Sequence, residues 1–259
     1  RSRNVPTVQL VQEMGARKVI DYARKFGLTT EIPEESIIAL GTHSVRLDEL
    51  TRAYGIFAAR GKLMQPIYIR RIEDSRGNTL QSSRPEGEQV ISPATAYLVA
   101  DMLQDVVRQP FGTGHRALRG FDRPAAGKTG TTQNYTDAWF IGFIPQMVAG
   151  VYVGFDDPKK SLGPSESGGR AAAPIWLDFM TSAKSALPIE TFEQPPTVVA
   201  HRVNTNGQLL GPCDQQTASR LEIFKSSSIP QRLLSANGCG RAVLSRHRQS
   251  DGDQEDDSL

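Results

Sequence analysis

Three short strand-like stretches, Lys128–Thr132, Ala138–Ile144 and Met147–Phe155, follow one another with little chain between them. Pro145-Gln146 alone joins the last two. A parallel crossover needs a dozen or more residues, so that link admits only a tight antiparallel connection. The rest of the chain must be arranged around this block.

Upstream the pattern is helical. Val8, Val11, Ile20, Ala23 and Phe26 recur at helical spacing, which predicts helices over Val5–Met14 and Ala16–Phe26, with Gly15 and Gly27 at their ends. A third helix is expected over Leu47–Arg60, with Leu47, Leu50, Tyr54 and Phe57 on one face and Gly61 as its cap. Ile67–Glu73 alternates like a strand, and the turn Asp74–Asn78 predicts a hairpin to Thr79–Gln81. Ser92-Pro93 starts another helix, because serine caps well and proline fits the first helical position. That helix carries Leu98, Met102, Leu103 and Val106 and ends in the loop Pro110–Gly114. After the strand block, a polar loop spans Asp156–Arg170. A closing helical stripe follows, formed by Ile175, Trp176, Phe179, Met180, Ala183 and Leu187. Helices, a strand block and a closing helix imply an α+β domain, an antiparallel sheet flanked by helices. Beyond Pro188 the composition turns mixed, with one expected strand at Val198–Val203. Five acids in Asp251–Asp257 imply a disordered tail.

The chain has 259 residues, 38% apolar and 22% charged, with net charge +2, as in a soluble globular protein. Such a mild charge, with no basic run interleaved with aromatics, argues against a nucleic-acid partner. No run of 18 apolar residues occurs, so nothing in the chain spans a membrane as a helix. The start, Arg1–Pro6, has neither Met nor signal-peptide shape and reads as a cut end. Cys213 and Cys239 form no C-x-x-C and lie near no histidine pair, which argues against zinc. A disulfide and two free thiols both remain open.

The chemistry concentrates at Lys128-Thr129-Gly130-Thr131-Thr132. A phosphate loop would need a glycine where Asp122 stands and a helix afterwards, yet Thr131, Thr132, Asn134, Tyr135 and Thr136 are poor helix formers. An edge strand with an exposed lysine is the plain alternative. A K-[ST]-G triplet arises by chance in roughly one chain in ten of this length, so alone it decides nothing. A glycine third in a strand lets another backbone approach closely, and a peptide-like ligand could add there by main-chain hydrogen bonds. Lys128, Thr129 and Thr131 would then meet its carboxylate. Ser2-Arg3-Asn4, an S-x-N triplet, has an equally plain alternative as a helix N-cap.

Together, S-x-N followed far downstream by K-T-G resembles the penicilloyl-serine transferases, that is, penicillin-binding proteins and serine β-lactamases. "SRNVPTVQL", "ALGTHSVRLDELTRAYGIFAARGKLMQPIYI", "AGKTGTTQNYTDAWFIGFIPQMVAGVYVGFDD" and "SESGGRAAAPIWLDFM" carry the likeness in order over about residues 1 to 190. "DAWF" and "GGRAAAPIW" favour a class A penicillin-binding protein of the 1A type, bifunctional in glycosyl transfer and transpeptidation. The resemblance implies a penicillin-binding-protein/β-lactamase fold, N-terminally truncated. Residues 1–190 would be the C-terminal part of the transpeptidase domain, 191–247 an extension with short strands, and 248–259 the acidic tail. It implies a DD-transpeptidase that cross-links peptidoglycan stem peptides and is acylated by β-lactam antibiotics. The implied place is the periplasm at the outer face of the cytoplasmic membrane, held by an anchor and a glycosyltransferase domain upstream. No cofactor or metal is implied. In such a compartment the two cysteines would pair.

The family's nucleophile is the serine of an S-x-x-K motif ahead of S-x-N. No serine in these 259 residues has a lysine three positions later; Thr181 and Lys184 have the spacing, on the closing helix. The chain alone is therefore expected to be inactive. A non-catalytic remnant, at most a ligand-binding or scaffold fragment, is the alternative. By matching positions, Ser2 would relay a proton and Asn4 would bond the donor peptide or a β-lactam side-chain amide. Lys128 would bond Ser2 and raise the local potential. Thr129 and Thr131 would hold the substrate carboxylate, Gly130 would leave room for the acyl group, and the Thr131 N–H would be an oxyanion donor. His43, His115, His201 and His247 are scattered and read as loop or core residues. Trp139, Phe140 and Phe143 read as core or groove wall, and Asp137 as fixing a strand turn.

Overall fold

The computed structural model describes residues 2–211 and 218–230. The chain divides into two compact units, Arg1–Val198 and Val199–Leu259. Cys213, Cys239, His247 and the acidic tail lie outside the described residues.

The first unit is organised by a three-stranded antiparallel sheet of β5 (Ala126–Thr131), β6 (Asp137–Ile144) and β7 (Met147–Gly154), with β6 in the middle. The register pairs Ala126 with Phe143 and Thr131 with Ala138, then Ile144 with Met147 across the Pro145-Gln146 link. That link is as tight as its two residues require.

Alternation along β6 sends side chains to two faces. On one, Phe143 packs with Ala126, with Ala100 of α4 (Pro93–Arg108), and with Tyr54 and Phe57 of α3 (Leu47–Ala58). On the other, Phe140 and Ile144 pack with Trp176 and Met180 of α5 (Ala173–Ala183). Phe140, Phe143 and Trp176 have no exposed surface. The Trp176 Nε1–H donates to the Gly142 carbonyl at 3.0 Å, so its one polar atom is satisfied inside the core. The sheet thus lies between helices on both faces, the expected α+β arrangement. Its residues Phe140 and Phe143 are core, while Trp139 is half-buried beside Tyr152.

Helices α1 (Asn4–Met14) and α2 (Ala16–Lys25) meet at Gly15, which adopts φ 85°. Among the described residues, only the Ser92 cap of α4 is of the side-chain kind: its Oγ accepts from the Thr95 N–H at 3.2 Å. Two of the sequence stripes are corrected. In α5 the buried arc is Ala173, Trp176 and Met180; Ile175 and Phe179 are exposed on the adjoining arc, and Leu187 follows the helix end. In α4, Met102 is exposed, while Ala96 and Ala100, which permit close approach, are buried. α3 ends at Ala58, short of Arg60. Gly61 (φ 93°) lies beyond it, pressed against the Ile91 carbonyl.

Four short strands form two further pairs. β1 (Lys62–Met64) pairs with β4 (Gly87–Gln89), and β2 (Arg71–Glu73) with β3 (Thr79–Ser82) across the Asp74–Asn78 turn. The strand expected from Ile67 begins only at Arg71. Asp74 accepts from the N–H groups of Arg76 and Asn78 and organises the turn. In the second unit β8 (Val198–Asn204) pairs with β9 (Ser219–Lys225), giving the expected strand a partner.

Candidate active site

β5 lies at the edge of its sheet. Gly127 is required where the strand crosses the core, since a Cβ there would crowd the Ile141 carbonyl and the Phe140 ring at 2.8 Å. At Gly130 a Cβ would lie 3.0 Å from the Trp139 Cβ, so that stretch of β5 stays free of side chain. The Thr132 N–H donates to the Asp137 carbonyl at 3.1 Å. Antiparallel pairing alternates, so the backbone groups of Thr131 and Thr129 turn away from β6 toward the open edge.

Lys128 is half-buried, and burial holds its ammonium below the ordinary lysine range. Its Nζ donates to the Thr129 carbonyl at 2.8 Å and to the Ser2 Oγ at 3.2 Å, although Ser2 is 126 residues distant. Among the described residues no carboxylate forms an ion pair with it. A desolvated cation held by neutral oxygens alone is arranged to receive an anion.

Ser2 and Asn4 do not cap α1. The N-cap position is Arg3, which makes no side-chain cap bond. The plain reading of S-x-N as a helix cap therefore fails, and Ser2 is instead engaged by Lys128. Asn4 is exposed on the first turn.

The two strand threonines are each backed by another residue. The Thr129 Oγ1 lies 2.6 Å from the Thr113 Oγ1, and Thr129 is 9% exposed. The Thr131 Oγ1 accepts from the Gly168 N–H at 3.0 Å. Gly168 opens a π-helical turn, Gly168–Ala172, that leads into α5. A Cβ on Gly168 would fall closer than 3.0 Å to the carbonyl oxygens of both Trp139 and Gly130. Gly169 stands equally close to the Thr113 carbonyl. No motif in the sequence marks Thr113, Gly168 or Gly169 as site residues. The adjacent glycines in a predicted loop were the one available sign of close backbone approach.

Asp137 has a definite structural role. Its Oδ2 accepts from the Thr132 and Thr136 hydroxyls at 3.0 and 2.8 Å, and its Oδ1 from the Tyr152 hydroxyl at 2.8 Å. Burial alone would raise its pKa, but the bonds from Tyr152, Thr136 and Thr132 outweigh it and hold the carboxyl below the ordinary range. The cluster ties down a turn in which Asn134 and Tyr135 adopt left-handed conformations. Of the histidines, His115 bonds the Val107 carbonyl through Nδ1, His201 packs on Phe224 and His43 has a buried Nε2. Among the described residues no group of three or more His, Cys, Asp or Glu could hold a metal ion. None of the helices there is long and apolar enough to cross a membrane.

A K-T-G edge strand whose lysine meets the serine of S-x-N defines a class of protein. The model for the penicillin binding protein transpeptidase domain matches residues 1–181, and the chain belongs to that family. Its relatives include penicillin-binding protein 1A of Aquifex aeolicus, 41% identical over 81% of this chain and 28% of that protein. Penicillin-binding protein 1A of Neisseria gonorrhoeae is 32% identical over 98% of this chain and 32% of its own length. The chain thus spans about a third of the length of these relatives or less. Among solved structures, penicillin-binding protein 1A from Haemophilus influenzae superimposes with a TM-score of 0.82 at 27% identity, over 90% of this chain and 40% of that one.

Proposed function

We propose that these residues form part of the acyl-transfer site of a peptidoglycan DD-transpeptidase, which cross-links stem peptides through a serine acyl-enzyme and binds β-lactam antibiotics there. The observation that carries this reading is the Lys128 ammonium: desolvated, without an acid partner among the described residues, and bonded to Ser2 from the far end of the domain. A stem peptide would add along the open edge of β5 by main-chain hydrogen bonds. Its terminal carboxylate would lie against the Thr129 and Thr131 hydroxyls within the field of Lys128. The Thr131 N–H would donate to the developing oxyanion, and Gly130 would leave space for the acyl chain. Ser2, held by Lys128, would pass a proton between the nucleophile and the leaving amine. Asn4 would bond the donor peptide amide. The reacting serine and its base are not among these 259 residues. Ser2, Asn4 and the β5 residues would bind, orient and polarise the substrate, at the outer face of the cytoplasmic membrane.

The test is covalent labelling with fluorescent penicillin. The product of the native gene should label at a serine outside these residues, and the 259-residue chain alone should not. Lys128→Ala in that product should slow acylation strongly, on the order of the 10²–10³-fold lost when a single preorganised oxyanion-hole donor is removed. Unchanged labelling would show that the K-T-G assignment is wrong.

A further inference from the structure

Thr113 lies in the loop after α4, outside both motifs, yet its hydroxyl touches the strand on which the proposed site is built. We propose that Thr113 is a positioning residue of the carboxylate subsite, donating its hydroxyl proton to the Thr129 Oγ1 and so directing the Thr129 O–H toward a bound carboxylate. The inference rests on the proposed reading of β5 as a carboxylate-binding strand.

Two oxygens 2.6 Å apart share one proton between them. Each hydroxyl carries one proton and can accept through its lone pairs. If Thr129 donates to Thr113, Thr129 itself keeps no proton for a ligand. If Thr113 donates to Thr129, the Thr129 proton is free. Thr129 is buried, so water does not readily reach its hydroxyl, whereas Thr113 approaches from the exposed side. An anion decides between the two states, because only the second gives the chain Thr113 O–H to Thr129 O–H to carboxylate, in which each bond polarises the next.

Thr131 has the same arrangement by other means. The Gly168 N–H occupies a lone pair of its Oγ1 at 3.0 Å and leaves its proton unassigned. Thr129 and Thr131 are two positions apart on one strand and therefore lie on the same face. Both hydroxyls are thus backed by a donor from a different segment, and both protons can converge on one ligand group.

The loop holds Thr113 in place for this. The Gly114 N–H donates to the Val106 carbonyl at 3.0 Å, the Gly112 N–H to the Gln109 carbonyl at 2.7 Å and the Leu118 N–H to the Gly114 carbonyl at 3.1 Å. On the other side the Thr113 carbonyl abuts Gly169. The backbone that carries Thr113 is therefore held before a ligand arrives.

The consequence is selectivity. Two converging O–H donors suit a carboxylate, which only accepts. A primary amide offers one accepting oxygen and an NH₂ that also donates, so one hydroxyl would face a donor. Thr113 should therefore favour peptides with a free C-terminal carboxylate over their amides.

The 259-residue chain, labelled with ¹³C at threonine methyl groups, can be titrated with N-acetyl-D-alanyl-D-alanine and with its C-terminal amide. The acid should bind about tenfold or more tighter than the amide. Thr113→Val should weaken the acid about three- to tenfold and leave the amide unchanged, and Thr113→Ser should restore the acid. Equal binding of the acid by wild type and Thr113→Val would overturn the proposal. So would a parallel loss for acid and amide that serine does not repair, since that is the mark of a collapsed loop. Wild type showing no preference for the acid would instead refute the carboxylate reading of β5, and the role of Thr113 with it.

Discussion

Gly168→Ala tests how the site is held together. Gly168 rests on the backbone of β5 and β6, and an added methyl would sit closer than 3.0 Å to two carbonyl oxygens, where ordinary contact begins at 3.4 Å. Both oxygens belong to residues paired in the β5–β6 ladder, Gly130 and Trp139, and cannot swing aside. The turn must lift instead. Lifting breaks the Gly168 N–H bond to Thr131, a loss of about 1 kcal/mol. It also disturbs Ala172, Ala173 and Trp176, all without exposed surface, at about 1–3 kcal/mol for overpacking. Alanine restricts the unfolded chain and returns about 0.4–1 kcal/mol. The net loss is about 1–4 kcal/mol, or roughly 2–15 °C in Tm at this chain length. Gly55→Ala is the matched control. There the methyl meets only the Val148 Cγ1 at 3.3 Å, inside α3, where alanine is preferred over glycine by up to about 1 kcal/mol. Circular-dichroism melts should show Gly168→Ala falling and Gly55→Ala level or rising. Equal melting of Gly168→Ala and wild type would mean that the turn does not lie on β5 as described.

Three further substitutions are read in the same way. Burial lowers the Lys128 pKa, so the folded chain holds that proton less tightly than the unfolded one; the cost is complete below the folded pKa and is relieved as pH rises toward the unfolded value. Lys128→Met should therefore stabilise the fold at pH 7 by about 1 kcal/mol or less, with the gain fading at high pH, and a less stable variant in urea titrations at pH 7 would refute this. Asp137→Asn leaves one oxygen to accept where two accept now, so about 1 kcal/mol should be lost in denaturant titrations at pH 7. Because the folded pKa of Asp137 is depressed, its contribution is present above the unfolded carboxylate range and lost as pH falls through the folded pKa; the variant should lack that acid limb, and an unchanged one would sink the account. Trp176→Ala empties the centre of the larger core and should cost about 3–5 kcal/mol by urea denaturation, whereas a loss under 1 kcal/mol would contradict its burial.

The strand block was legible because its links are too short for any alternative, and β6 and β7 run as the Pro145-Gln146 link dictates. The start of α4 was legible because Ser92 and Pro93 act locally. β1 and β4 were not. Each is three residues long, and β4 is exposed throughout, so neither carries the alternation that marks a half-buried strand. They exist because Gly61 brings the chain close beneath Ile91, a contact between segments thirty residues apart. The stripe on α5 misled for a related reason. Apolar residues cover more than one arc of that helix, and only the shape of the sheet face decides that Trp176 and Met180 are covered while Ile175 and Phe179 are not.

The site divides along the same line. Lys128, Thr129, Gly130 and Thr131 announce themselves because one strand supplies them in order. Ser2 had an adequate local explanation as a helix cap, and only the folded chain removes it: Arg3 takes the N-cap position, and Ser2 lies against Lys128 instead. Thr113 had no signature and Gly168 only that of a glycine pair in a loop, because what each does depends on a partner, Thr129 or Thr131, that a separate segment brings to it. Residues that meet a ligand are constrained by the ligand's chemistry and so by residue type. Residues that aim them are constrained only by position, and position appears when the chain has folded. A motif search therefore finds the groups that touch substrate and passes over the groups that set the direction of their protons.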